Sequence, residues 1–373
     1  MKNILYIFLI LSPILIGFNY DNYQTQKVVH LEFYNQVDGR VIIQNIDKML
    51  SNSQPDQVVT ADSLEPADVY DSSSKEKSLF KRNPKLFTDT ASFSPELKAL
   101  WNNTIMVFGA TADGIGIGTA FSIVKLDEHT ALFLTAYHVV EKFCDIPNKP
   151  YSEQTTIEDN AFSCQSLYVL NDIAIDTKTN QVANDGEHAW KSEIEEILFF
   201  DKVADVAAFR IRIPDDNKLS MAKIESNYDV DKPKFKDVND KLQSLTKFDL
   251  YTFGYPSTYK KVDKVPVHDP GLIRKRWSRG QYLRTKTFES QSKLGFTHAL
   301  KHGVYSLPGS SGGPMALPDG RVIGINFSMI LNQYYRHRFG GCARLAKVTE
   351  KELYAIASVN FKQFLTLIPG DIR

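Results

Sequence analysis

Three short segments carry side chains that could divide the work of acyl transfer at a carbonyl carbon. That chemistry needs an activated nucleophile, a base to take its proton, a group that orients the base, and donors waiting for the oxyanion. The nucleophile candidate is Ser311, in the run Leu307-Pro308-Gly309-Ser310-Ser311-Gly312-Gly313-Pro314. Small residues on both sides of Ser311 let the backbone turn tightly and approach a substrate closely. The same geometry aims successive backbone N–H groups at one point, and the donors would be those of Gly309 and Ser311. The base candidate is His138, in Leu134-Thr135-Ala136-Tyr137-His138-Val139-Val140, directly after a strand-like run. The orienting acid is Asp205, which opens the apolar run Val206-Ala207-Ala208-Phe209. A carboxylate entering an apolar strand is costly to bury without a partner, and a histidine N–H is a suitable one. Asp201 is a nearby competitor, but the same small, apolar run does not follow it. Taken singly, each segment also reads blandly: a Gly/Ser surface turn, a structural histidine, a strand-start aspartate. Together, in the order His, Asp, Ser, they make a strong signal.

These groups need rigid elements to present them. From residue 101 onward short β-type runs recur between Gly, Asn, Asp and Pro, at 104–109, 118–126, 131–136, 166–170, 197–200, 207–213, 250–253 and 321–326. Many short strands with turn signals between them predict an all-β barrel or sandwich. Residues 127–130 predict a hairpin turn. Near the C-terminus, Thr349 to Glu352 fits a capping box, and Leu353, Ile356, Ala357, Asn360, Phe361 and Phe364 follow helical spacing. A closing helix is therefore expected there. Two β-rich stretches, 27–34 and 40–46, precede the main domain. Residues 51–77 are polar and read as a linker.

The three segments resemble the triad motifs of the trypsin/chymotrypsin superfamily. They are most similar to bacterial trypsin-like peptidases, including the protease domains of the HtrA and V8-like groups. The His138 segment is similar to the family's T-A-x-H, Asp205-Val206-Ala207 to its D-[IVL]-A, and 309–314 to its G-x-S-G-G-P. Phe253-Gly254-Tyr255-Pro256 and Val322 to Asn326 resemble further family strands. The likeness spans roughly residues 101–373. It implies two six-stranded antiparallel β-barrels with the site between them, His138 and Asp205 on the first and Ser311 on the second. It also implies that an extended peptide substrate pairs with the edge near Asn326, Phe327 and Ser328. Tyr305 falls where the family sets the base of the primary pocket, and the absence of a carboxylate there argues against selection of Lys or Arg.

Two departures stand out. His138 and Asp205 are 67 residues apart and Asp205 and Ser311 are 106 apart, which implies insertions around 145–195 and 214–247. The residue before the nucleophile is Ser310, so the activation by a new N-terminus that an aspartate mediates there in trypsin-type zymogens is not expected.

The rest of the sequence bounds these readings. Residues 4–17 are apolar and follow Lys2, which reads as a signal peptide over 1–18; a retained anchor is the alternative. This implies a secreted or periplasmic protein with no integral membrane domain in the mature chain. Residues 19–100 read as an N-terminal extension or pro-segment with linker, and 101–373 as the protease domain. Lys and Arg total 44, matched by 44 Asp and Glu, which gives no reason to expect a nucleic-acid partner. Three cysteines cannot form a disulfide framework, though Cys144 and Cys164 could pair across one loop. The basic stretch 260–286 reads as a charge-rich solvated loop. No cofactor or metal is expected: none of the eight histidines forms an H-E-x-x-H pair. An α/β-hydrolase would need the order Ser, acid, His, and only 62 residues follow Ser311, with His337 the sole histidine among them. The reading is a serine endopeptidase acting on protein or peptide. The rival from another class is a catalytically silent homologue that binds peptides on the same scaffold.

Overall fold

The structure is a computed structural model. It describes residues 24–28, 33–34, 37–51, 86–145, 162–201, 204–214, 219–237, 239–256, 258–262, 265–269, 271–289, 296–304, 306–336 and 344–367. The expected signal peptide, nearly all of the linker, Cys342, His337 and Tyr305 lie outside the described residues.

Two large sheets form the body of the described fold. The first holds β1 (Thr104–Ala110), β2 (Ile115–Lys125), β3 (Thr130–Thr135), β4 (Leu167–Asn171), β5 (Trp190–Glu193), β6 (Glu196–Asp201) and β7 (Val206–Arg212). Their order is β5-β4-β1-β2-β3-β7-β6, with Phe162–Ser163 beyond β6 and Phe33–Tyr34 on β2. The expected hairpin turn joins β2 to β3, with Leu126 N–H donating to Thr130 O. The second sheet holds β8 (Asp249–Gly254), β9 (Arg276–Glu289), β10 (Phe296–His302), β11 (Pro314–Ala316), β12 (Val322–Arg336) and β13 (Arg344–Ala357). It runs β12-β11-β8-β9-β10-β13, and β12 pairs with β13 to close a six-stranded barrel. The architecture is a half-barrel beside a closed barrel, a chymotrypsin-like double β-barrel. All eight predicted strands are present.

The first sheet is buried on both faces, so its strands read as unbroken apolar runs rather than alternating ones. Ile105 and Val107 point into the half-barrel interior, with Phe133, Phe209 and Trp190. Met106, Phe108 and Ala110 point outward, against α1 (Gly39–Ser51). Residues 40–46, expected as a β-rich stretch, are therefore helical. Ile42, Ile43 and Ile46 recur at helical spacing, and Ile42 and Ile46 are fully buried. The need to cover an apolar sheet face overrides the strand preference of β-branched residues. The Asp38 carboxylate accepts from Arg40 N–H just ahead of this helix.

A second stretch before residue 101 is also built into the fold. Ser94 caps α2 (Pro95–Asn102) by accepting from Leu97 N–H, and Leu97 and Leu100 enter the core shared by the two halves. That core joins Phe121, Leu134 and Ala208 of the first half to Phe253, Ala316 and Ile325 of the second.

The expected C-terminal helix lies farther along than the sequence reading placed it. Residues 344–357 form β13; a 3-10 turn follows, and the helix is the short α4 (Lys362–Leu367). Leu353, Ile356 and Ala357 fit helical spacing, but they belong to a run in which Tyr354 to Ala357 are all buried. Ala355 and Ala357 face the barrel interior, while Ile356 faces the core between the halves. Closing the barrel buries both faces at once, which a helix there would not do.

The basic stretch also differs from expectation. Arg274, Lys275 and Arg276 are buried rather than solvated. Arg274 pairs with Asp185 at 2.7 Å and Lys275 with Asp172 at 2.9 Å. Burial pushes the Asp185 carboxyl above the usual carboxylate range, and Arg274 pulls it back. These pairs pin residues 271–276 to the insertion that follows β4.

Candidate active site

His138 sits on α3 (Tyr137–Val140), a single turn that begins as β3 ends. Asp205 immediately precedes β7, the neighbour of β3. Its backbone is left-handed (φ 50°), a conformation that aspartate tolerates better than most residues. That bend turns the residue toward α3, where it makes three hydrogen bonds. His138 Nδ1 lies 2.6 Å from Asp205 Oδ2. The backbone N–H of His138 donates to Oδ1 at 2.9 Å, and that of Tyr137 donates to Asp205 O at 3.2 Å. One carboxylate thus fixes both the ring and the main chain that carries it. Both residues are buried, with relative exposures of 9% and 7%. A short charge-assisted bond in such a place is among the stronger kinds. The competitor Asp201 serves elsewhere, since its carboxylate accepts from Ala204 N–H and shapes the turn into Asp205.

Ser311 lies between β10 and β11, in the tight loop that the sequence predicts. Ser310 N–H donates to Leu307 O, and Gly313 N–H donates to Ser310 O. Gly309 and Gly312 hold φ of 91° and 85°, where a side chain would be strained. A Cβ on Gly309 would stand 2.2 Å from Tyr255 O, and one on Gly312 would stand 2.0 Å from Thr119 O. The loop can therefore press this closely on its surroundings only with glycine at both positions. The hypothetical Cβ of Gly312 would also stand 2.9 Å from Ala136 N. The residue after Ser311 thus packs on the residue that caps the His138 turn, and the Ser311 loop and the His138 turn meet across the two halves. Ser311 Oγ lies 3.4 Å from Phe327 O.

The predicted substrate edge divides in two. Asn326 is buried within the sheet: its N–H donates to Gly313 O, its carbonyl accepts from Gly312 N–H, and its side chain bonds Thr252. Phe327 and Ser328 follow it on β12. On this side of β12 the described pairings stop at Asn326 and resume at Ile330, which pairs with Val28 of the strand Gln24–Val28. A short window around Phe327 and Ser328 therefore lies between them, beside the Ser311 loop.

Cys144 and Cys164 are joined by a disulfide. It ties the segment after α3 to the residues just ahead of β4, where Gln165 N–H also donates to Phe143 O. The sequence reading missed one structural participant, Thr119, whose hydroxyl donates to Gly309 O at 2.7 Å. Among the described residues no group of His, Cys, Asp and Glu is placed to hold a metal ion.

Among solved structures the chain is similar to Deg5, at 14% identity and a TM-score of 0.41, covering 74% of this chain and 93% of that one. It is similar to the active form of the Rv3671c protease from M. tuberculosis, at 13% identity and 0.40, covering 77% and 88%. It is also similar to a serine endoprotease from Yersinia pestis, at 13% identity and 0.38, covering 74% and 66%. No curated protein matches the chain. Residues 118–325, more than half of the chain and including all three segments from His138 to Ser311, match the trypsin-like peptidase domain, and the protein belongs to that family.

Proposed function

We propose that the protein is a serine endopeptidase that hydrolyses peptide bonds through Ser311, His138 and Asp205. The observation that carries this reading is the double grip of Asp205 on His138, 2.6 Å to Nδ1 and 2.9 Å to the backbone N–H. Holding the proton on Nδ1 leaves Nε2 as the base. Ser311 Oγ attacks the scissile carbonyl as its proton passes to His138 Nε2. The resulting imidazolium is stabilised by Asp205 and gives the proton to the leaving amine. Water then attacks the acyl-enzyme by the same relay. The N–H groups of Gly309 and Ser311 are assigned to the oxyanion. The neighbouring amides of Ser310, Gly312 and Gly313 are already committed to backbone carbonyls. The substrate is an extended polypeptide pairing at Phe327 and Ser328. Asn326 supports that edge from within the sheet.

We assign the protein to the secreted or periplasmic space. The charged start and apolar run over residues 1–18 support this, as does the Cys144–Cys164 disulfide, a bond that oxidising compartments preserve. Among the described residues no helix is long and apolar enough to cross a membrane.

The direct test is covalent labelling of the purified protein with a fluorophosphonate probe, beside Ser311→Ala. The expected result is labelling of the wild type and none of the variant. A folded wild type that neither labels nor cleaves peptides would instead mean a latent form still needing processing or a peptide-binding homologue, and a protein truncated to start near Ser92 would tell those apart.

A further inference from the structure

The nucleophile loop belongs to the second half of the molecule, yet a residue of the first half holds it from two sides. Thr119 lies on β2 and is fully buried. Its backbone N–H donates to Ser311 O at 2.8 Å. Its hydroxyl donates to Gly309 O at 2.7 Å and accepts from Tyr255 N–H at 3.2 Å. Its own carbonyl accepts from Thr135 Oγ1 at 2.7 Å, three residues before His138. One side chain and its peptide groups thus join the carbonyls of Gly309 and Ser311 to the strand that leads to the base.

We propose that Thr119 is a positioning residue for the oxyanion donors, acting through its hydroxyl. This rests on the serine-peptidase reading and concerns how that site is kept in register. The peptide planes on either side of Gly309 meet at a Cα that carries no side chain, so little intrinsic resistance opposes their rotation. The plane on one side carries the Gly309 N–H, and the plane on the other carries the carbonyl that Thr119 holds. Fixing the carbonyl limits rotation at Gly309 and so fixes where the N–H points. The Thr119 N–H does the same for the carbonyl of Ser311, which leaves the hydroxyl as the part that substitution can remove. Preorganised donors matter because they need no rearrangement when charge develops on the oxygen. Without the hydroxyl, Gly309 O and Tyr255 N–H would each lose a partner in a buried place, and the loop would turn to satisfy them.

The test uses the full-length protein as wild type, Thr119→Val and Thr119→Ser, with Ser122→Ala as a control. Ser122 is buried on the same strand, but its hydroxyl bonds Ser220 O, away from the loop. Steady-state kinetics on a peptide substrate are measured beside inhibition by a peptide boronic acid, which forms a tetrahedral adduct at the nucleophile. The expected result for Thr119→Val is a kcat lower by about 10- to 100-fold with KM nearly unchanged, since misaligning a donor should cost less than deleting one. Boronate affinity should fall with kcat, Thr119→Ser should restore both, and Ser122→Ala should leave both in place. A Thr119→Val protein with wild-type kcat would overturn the proposal, whatever its melting temperature. So would an equal kcat loss in Ser122→Ala. If Thr119→Val does not fold, Thr119→Ser decides alone: wild-type kcat and boronate affinity support the proposal, and their loss in a folded protein overturns it. A wild type that neither cleaves nor labels would instead sink the serine-peptidase reading itself, and this role with it.

Discussion

The two halves of the molecule bury their sheets by different means. The second closes on itself through β12 and β13. The first stays open along its described pairings and is covered from outside by α1. The division extends to the chemistry. The proposed acid–base pair is complete within the open half, because Asp205 and His138 flank the adjacent strands β7 and β3. The loop proposed to carry the nucleophile rises from the closed half but is flanked by both, with the Tyr255 carbonyl packed against Gly309 on one side and the Thr119 hydroxyl bonded to Gly309 O on the other. One half thus carries a self-contained relay, and the other carries a loop that depends on the seam.

The strongest way to break this contrast is Asp205→Asn. Asparagine also tolerates the left-handed backbone at this position, so the fold should survive. The amide would present its N–H₂ where His138 Nδ1 now donates, or would accept more weakly, and the preferred tautomer would be lost. The expected outcome is a kcat lower by about 10⁴-fold at neutral pH, the scale of this change in serine-protease triads, with a near-native melting temperature. A loss below tenfold would mean that Asp205 only braces the turn under His138.

Much of this arrangement was legible in the sequence because its signals are local. The strands announce themselves as short apolar runs between turn residues, and the three segments proposed to carry the triad each fit within a few positions. Two of the failures share one physical cause, which is distance along the chain. Arg274 and Lys275 look solvated because Asp185 and Asp172 lie 89 and 103 residues away. Thr119 looks like an ordinary strand residue because the carbonyl it holds is 190 residues distant. The helix α1 was missed for another reason. Val41, Ile42 and Ile43 suggest a strand by residue type, while the spacing of Ile42, Ile43 and Ile46 carried the better signal. At 353–357 the spacing itself was ambiguous, and only barrel closure decides it.

A second prediction sharpens the contrast in how the halves are covered. Ile46 of α1 and Ile323 of β12 are both fully buried. If α1 is an integral wall of the open half, Ile46→Ala should cost about 2–5 kcal/mol, as a buried truncation in a barrel strand does. Ile323→Ala provides that comparison, with denaturant midpoints as the readout. A cost below about 1 kcal/mol for Ile46→Ala would show that the helix is a detachable extension, and the open half would then have to be stable uncovered.

The smallest expected effect contrasts a buried histidine in each half. His138 faces a carboxylate, whereas among the described ion pairs none reaches His302. His302 ends β10 in the closed barrel at 2% exposure, and burial pushes its pKa down from 6.5 to about 4. Between those values the unfolded chain binds a proton that the folded chain refuses. Stability therefore rises with pH through this window and is lost as pH falls from 6.5 toward 4. The full span corresponds to roughly 3 kcal/mol. Replacing the imidazole by His302→Leu should remove that slope: the gap between variant and wild type should shift in the variant's favour by most of this amount from pH 7 to pH 4.5. Urea midpoints at the two pH values measure it. Parallel pH profiles for the two proteins would mean that the ring takes up its proton without leaving the barrel, and that the closed half is less dry around His302 than its burial implies.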